Sequence, residues 1–277
     1  MTFLKLSRIH YIRLFTIILT AFMLLSCDDS TASEERQWDL VWEDNFEGNA
    51  NTAPDASNWT YDIGTDWGNG QLEYDTDRIE NVYLDGNGNL AITAREESFQ
   101  GRQYTSGRIV TRDLFETTYG RFEARIKLPR GQGIWPAFWL LGADYETNIW
   151  PACGEIDIME YRGQEPTIVH GTVHGPGYSA GAGPTNSYRL TGDRFDNDFN
   201  IFSAEWGSGQ IDFFVNGQKY HSVSADDVQP NEWVFDNDFF IILNVAVGGG
   251  FVGSPDATTV FPQTMLVDYV RVYQEAN

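Results

Sequence analysis

The chain's 277 residues carry 40 acidic against 18 basic side chains, a formal net charge of −22 at pH 7. Like charge opposes binding to nucleic acid or to a polyanionic sugar, so this balance excludes both and suits a neutral ligand. One all-β domain is natural at this length, and 40 Phe, Tyr and Trp residues can fill a core and still line a binding surface.

The first 26 residues read as an export leader. Lys5, Arg8 and Arg13 precede an apolar run from Leu14 to Leu25, the basic-then-apolar order of a secretory signal. The run is too short to span a bilayer comfortably. Leu24-Leu25-Ser26-Cys27 resembles the bacterial lipobox, which makes Cys27 the expected lipidated N-terminus of an exported, envelope-anchored protein. An ordinary signal with an incidental cysteine is the alternative. Loss of the leader's three cations takes the net charge from −22 to −25. Residues 27–36 read as an acidic tether and 37–277 as a single domain. With Cys27 acylated, Cys153 has no intramolecular partner and is expected to be a buried, inert thiol.

From Trp38 onward, short alternating runs are broken by Gly, Asn, Asp and Pro, and no stretch sustains helical periodicity. Phe122, Ala124, Ile126 and Leu128 alternate with polar residues and should point inward. In the run 134–140, alternation places Trp135, Ala137 and Trp139 on one face and Ile134, Phe138 and Leu140 on the core face. Asn216-Gly217, between Phe213 and Tyr220, is the pair that a type I′ hairpin turn prefers. Many short strands at this spacing predict an all-β, two-sheet sandwich.

The most informative stretch is Glu155-Ile156-Asp157-Ile158-Met159-Glu160. It puts three carboxylates into an apolar, β-branched strand, where they are costly unless they do chemistry or hold a cation. Glu155 and Asp157 share one face, but strict alternation throws Glu160 to the other. One extra residue, a β-bulge at Ile158-Met159, returns Glu160 to the carboxylate face. Paired carboxylates are the working parts of most glycoside hydrolases: one attacks the anomeric carbon, the other protonates the leaving oxygen. Regular steps of about 3.3 Å separate the two glutamate Cα atoms by roughly 13 Å, and converging side chains can shorten that to the roughly 5–5.5 Å between carboxyl groups that retention needs. Asp157 would assist the nucleophile or tune its partner. The competing reading is a structural calcium site or a solvated edge strand.

Other candidates are weaker alone. Asn69 and Arg108 could bond ligand hydroxyls, or serve a turn and a salt bridge. His170 and His174 have an H-x3-H spacing, but no third zinc ligand lies nearby in sequence. His174 reads as a cleft residue near the acid/base or as a structural histidine.

Six segments between Trp38 and Gln274 carry a resemblance to the family-16 glycoside hydrolases, and within them to the bacterial laminarinases, endo-β-1,3-glucanases. They span residues 40–48, 76–82, 119–142, 150–160, 239–249 and 265–274. The resemblance implies a β-jelly roll with a substrate cleft on its concave sheet, with Glu155 as nucleophile, Glu160 as acid/base and Asp157 assisting. It also makes Trp135, Trp139 and Trp150 sugar platforms and β-1,3-glucan the neutral partner; apart from the resemblance, a monomer is expected. Catalysis would need no cofactor. A structural calcium would be held by the main-chain carbonyls of Asn45 and Gly88 and the side chain of Asp268, unless Asp268 is a rim residue; oxygen-only donors suit that ion. Two departures from the laminarinase pattern stand out. Gly70-Gln71-Leu72-Glu73-Tyr74 exchanges the polar positions of Asn-Glu-Leu-Gln-Tyr, and Gly248-Gly249-Gly250-Phe251 replaces Gly-Gly-Asn-Trp.

Overall fold

The structure, a computed structural model, describes residues 36–276. The expected leader 1–26, Cys27 and all of the tether except Arg36 lie outside the described residues. The chain runs through β1 (Trp38–Asp44), β2 (Thr60–Tyr61), β3 (Glu73–Asp75), β4 (Val82–Leu84), β5 (Leu90–Phe99) and β6 (Arg102–Ser106). Next come β7 (Arg108–Val110), β8 (Gly120–Lys127), β9 (Ile134–Gly142), β10 (Glu155–Tyr161), β11 (Ile168–His174) and β12 (Thr185–Arg189). The last are β13 (Asn200–Gly207), β14 (Gln210–Val215), β15 (Gln218–Ser224), β16 (Phe239–Val247) and β17 (Gln263–Glu275). Among the described residues there is no α-helix, only two 3-10 turns at Ala180–Ala182 and Ala225–Val228.

These strands form two sheets. A ten-stranded sheet has the order β15-β14-β13-β8-β17-β5-β6-β3, with β1 beside β17 and β4 beside β5. A seven-stranded sheet has the order β12-β11-β10-β9-β16-β7-β2. Apart from the parallel pair β3–β6, the pairings are antiparallel. Alternation explains the core. Phe122, Ala124 and Ile126 on β8, and Ile134, Phe138 and Leu140 on β9, all join the main buried cluster, as the period-two pattern predicts. Phe202 and Phe213 enter it from the larger sheet, and Ile156, Tyr161 and Leu243 from the smaller. Each fully buried side chain of this size contributes about 1.5–3 kcal/mol by leaving water.

The hairpin turn forms as expected. Asn216 and Gly217 have φ values of 50° and 77°, the left-handed pair that a type I′ turn needs and that glycine adopts without strain. The outer face of the seven-stranded sheet is therefore set by which residues of β9, β10, β11 and β16 point away from the core. That face carries the site.

Candidate active site

On β10 the pairing with β11 matches Asp157 to Thr172 and then Glu160 to His170, three residues against two. Against β9 the register slips between Asp157 and Met159. This is the expected bulge. Ile158 and Met159, adjacent in sequence, both enter the core, while Glu155, Asp157 and Glu160 all line one cleft. The cleft encloses about 730 Å³. Its aromatic lining comes from Trp67, Trp135, Trp139, Trp150 and Phe251.

The three carboxyls sit in a dry, mutually repelling environment. Burial pushes each of them up to about 8, and Asp157 adds Coulombic repulsion to Glu155 and Glu160. They cannot all ionise together at neutral pH, so they share protons as a coupled set. The surroundings distinguish them. His174, directly across from Glu155 on β11, brings its Nε2 to 3.6 Å from Glu155 Oε1 and 3.1 Å from Asp157 Oδ2. His174 favours the charged form of both glutamates, with Arg108 adding to it at Glu155 and Arg162 at Glu160. Glu160 accepts a hydrogen bond at 3.1 Å from the neutral indole Nε1 of Trp135.

Each residue singled out from sequence can now be placed. Trp139 lines the cleft and donates Nε1–H to Asn244 Oδ1 at 2.8 Å, which fixes its ring plane. Trp150 is 43% exposed, with its ring edge-on to His174. Trp135 lines the cleft but is only 8% exposed and packs against Phe251. It is therefore less an open platform than a support for Glu160. Asn69 is both a turn residue, with φ of 56°, and part of the cleft wall, where its carbonyl accepts from the Gly250 N–H. Arg108 makes the salt bridge of its second reading and also lines the cleft. It donates to Asp62 at 2.9 Å and lies against the rings of Trp67 and Trp139, 4.8 and 4.9 Å from their centroids.

His174 lines the cleft, and Gly183 packs against its far side. A Cβ at position 183 would come within 2.5 Å of His174 Nδ1, so only glycine fits there. His170 also lines the cleft, but at the other end of the carboxylate row, beside Glu165 and Phe251. Cys153 is buried and free, and burial pushes its thiol up to about 12, which makes it unreactive.

Of the donors expected for calcium, Asp268 lies on β17 with Oδ2 paired to the Arg125 guanidinium. Asn45 follows β1, where its side-chain Oδ1 accepts from Arg271, and Gly88 lies in the turn between β4 and β5 with φ of 80°.

Several cleft residues escaped the sequence reading: Trp67, Asn244, Arg162, Thr172 and Thr185. Asn244 had a signal, being the lone amide in a nine-residue apolar strand whose residues are all buried. The exchanged motif is also resolved. Gln71 faces the cleft, while Glu73 is buried at 1% exposure and accepts from the Val247 N–H at 2.7 Å. Burial pushes Glu73 up to about 7 and raises its neighbour Asp75 as well. Phe251, the second departure, has the Trp135 ring on one side and the Arg162 guanidinium 4.1 Å from its centroid.

A two-sheet sandwich whose cleft holds a row of proton-sharing carboxyls among tryptophans defines an enzyme that cleaves glycosidic bonds. The chain belongs to the glycosyl hydrolases family 16, whose profile matches residues 62–271. A beta-glucanase of Rhodothermus marinus is 40% identical over 274 residues, covering 92% of this chain and 94% of its own. The catalytic domain of an endo-1,3-beta-glucanase (laminarinase) from Thermotoga petrophila RKU-1 superposes with a TM-score of 0.83 at 46% identity. It covers 88% of this chain and 100% of that one. An endo-beta-1,3-glucanase from Pyrococcus furiosus also gives a TM-score of 0.83 at 46% identity, covering 87% and 96%. The sandwich is thus the jelly roll of the family.

Proposed function

We propose that the protein hydrolyses β-1,3-glucan internally and with retention, with Glu155 as nucleophile and Glu160 as acid/base. The observation that carries this reading is the bulge in β10, which brings three buried carboxyls to one face of an aromatic cleft. Glu155 must ionise to attack, a charged form that His174 and Arg108 favour; Glu160 must start protonated, which burial first and Asp157 next favour. In the first step a Glu155 oxygen bonds to the anomeric carbon as the glycosidic C–O bond breaks, and Glu160 gives its proton to the departing oxygen. In the second, water attacks the same carbon and surrenders a proton to Glu160, and the Glu155 ester bond breaks. Burial first, and then Asp157 lying between them, raises both carboxyls, which favours a protonated Glu160 near neutrality. Trp139 and Trp150 offer apolar faces to the C–H faces of the sugar rings, and Arg108 and Asn69 supply polar contacts at the wall.

Laminarin, mixed-linkage glucan and agarose, each incubated with the wild type and with Glu155→Ser, test this. Rapid release of oligosaccharides from laminarin, initially in the β-anomeric form by proton NMR and lost in the variant, is the expected result. Initial α-anomers would overturn retention, and activity on agarose alone would overturn the substrate.

The basic leader and the Leu-Leu-Ser-Cys sequence support a second part of this proposal: the enzyme is exported and held to the cell envelope through acylated Cys27. Incorporation of labelled palmitate, abolished by Cys27→Ser, is the expected result. Equal labelling of the variant would refute it.

A further inference from the structure

Sequence spacing offers His174 no third metal ligand, yet folding supplies one from the neighbouring strand. His174 Nε2, an Asp157 oxygen and a Glu155 oxygen all lie within 4.8 Å of one another. The two distances to Nε2 are 3.1 Å to Asp157 Oδ2 and 3.6 Å to Glu155 Oε1. Tetrahedral ligands held about 2.0–2.1 Å from an ion are about 3.3 Å apart, so these edges already bracket that value. Asp157 is 4% exposed, and its Oδ2 has no hydrogen-bond partner despite its closeness to the imidazole. A buried acceptor of this kind, aimed into the cleft, is left wanting a positive ligand.

We propose that Glu155, Asp157 and His174 form a reversible inhibitory site for a borderline divalent cation such as Zn²⁺, with water completing the coordination on the open side. One imidazole and two carboxylates suit zinc or cobalt. Calcium and magnesium require six or more oxygen ligands and disfavour nitrogen. Occupation would engage the Glu155 oxygen that attacks the sugar, so the ion and the glucan exclude one another. The inhibitory consequence rests on the glucanase reading above, whereas the ion binding rests on the geometry alone. The site is weak rather than resident. His174 Nδ1 is buried with no acceptor, and a metal-bound histidine lacking its outer partner typically loses 10–100-fold in affinity.

The test is calorimetric titration of the tag-free protein with Zn²⁺, together with visible absorption on addition of Co²⁺. Both are run on the wild type, His174→Ala and Asp157→Asn, with circular dichroism to confirm that each variant is folded. The expected result is one ion per chain and a tetrahedral cobalt spectrum in the wild type. Binding should weaken at least tenfold in both variants, and Zn²⁺ should inhibit laminarin hydrolysis competitively and reversibly by EDTA. Unchanged binding in folded His174→Ala would overturn the site, as would absence of binding at millimolar Zn²⁺ with hydrolysis intact. Wild-type binding with no hydrolysis of any glucan by the metal-free protein would uphold the site and overturn the glucanase reading instead.

Discussion

Replacing Glu155 by Gln should stabilise the fold, and the gain should depend on pH in a defined way. The Glu155 carboxyl is raised from 4.5 to about 8, first by burial and then by Asp157. A group whose folded pKa is raised supports the fold fully below its unfolded value and loses that support as pH climbs through the folded value. Each tenfold fall in proton concentration costs about 1.4 kcal/mol in this window, so by pH 7 the wild type has lost about 3 kcal/mol that a neutral amide keeps. For a domain of this size that is a melting difference of roughly 6–12 °C. Calorimetric scans from pH 4 to pH 9 on both proteins would show near equality at pH 4, a gap opening between pH 5 and 8, and a plateau above. A gap that is constant with pH, or a wild type that is more stable at pH 7, would refute the claim that the nucleophile is held against its own ionisation.

Three further perturbations follow from the same geometry. Trp135→Phe removes the indole donor that favours ionised Glu160; the alkaline limb of the kcat profile should rise by about one pH unit, and a downward shift would contradict the acid/base role. Gly183→Ala suits the backbone, with φ of −63°, but drives a methyl to 2.5 Å from His174 Nδ1. Its rate should fall about tenfold with KM little changed, since about 1.4 kcal/mol of barrier is a tenfold change, and wild-type kinetics would show that His174 does not serve Glu155. Glu73→Gln keeps an acceptor for the Val247 N–H while removing a carboxyl raised to about 7. Urea unfolding at pH 8 should show a gain of about 3 kcal/mol that is absent at pH 4, and destabilisation at pH 8 would mean that the charge is used.

What could be read from the chain was what depends on period two. The β8 and β9 faces, the bulge and the row of acids follow from counting residues along one strand. What could not be read depends on strands distant in sequence. Arg108 could be read as a salt-bridge residue or as a group for ligand hydroxyls. It is both pinned by Asp62, 46 residues away, and flanked by Trp67 and Trp139. Trp135 was placed on the right face, but its service to Glu160 depends on β9 lying beside β10 at one register. Glu73 stood out only as one of two exchanged polar positions in its motif. Its burial arises because β3 runs parallel to β6 and reaches the end of β16, where the Val247 N–H needs an acceptor.

The bulge in β10 also leaves the facing of the acids insensitive to the loss of one residue. Without Met159 the motif would read Glu-Ile-Asp-Ile-Glu, a regular strand in which all three acids still face the cleft. The lost residue is one of two consecutive apolar side chains in the core, so the loss would fall on packing and on the spacing between nucleophile and acid, while the side of the sheet on which the acid stands would not change. Loss of a single codon there would therefore shorten the catalytic row without turning its proton donor into the core.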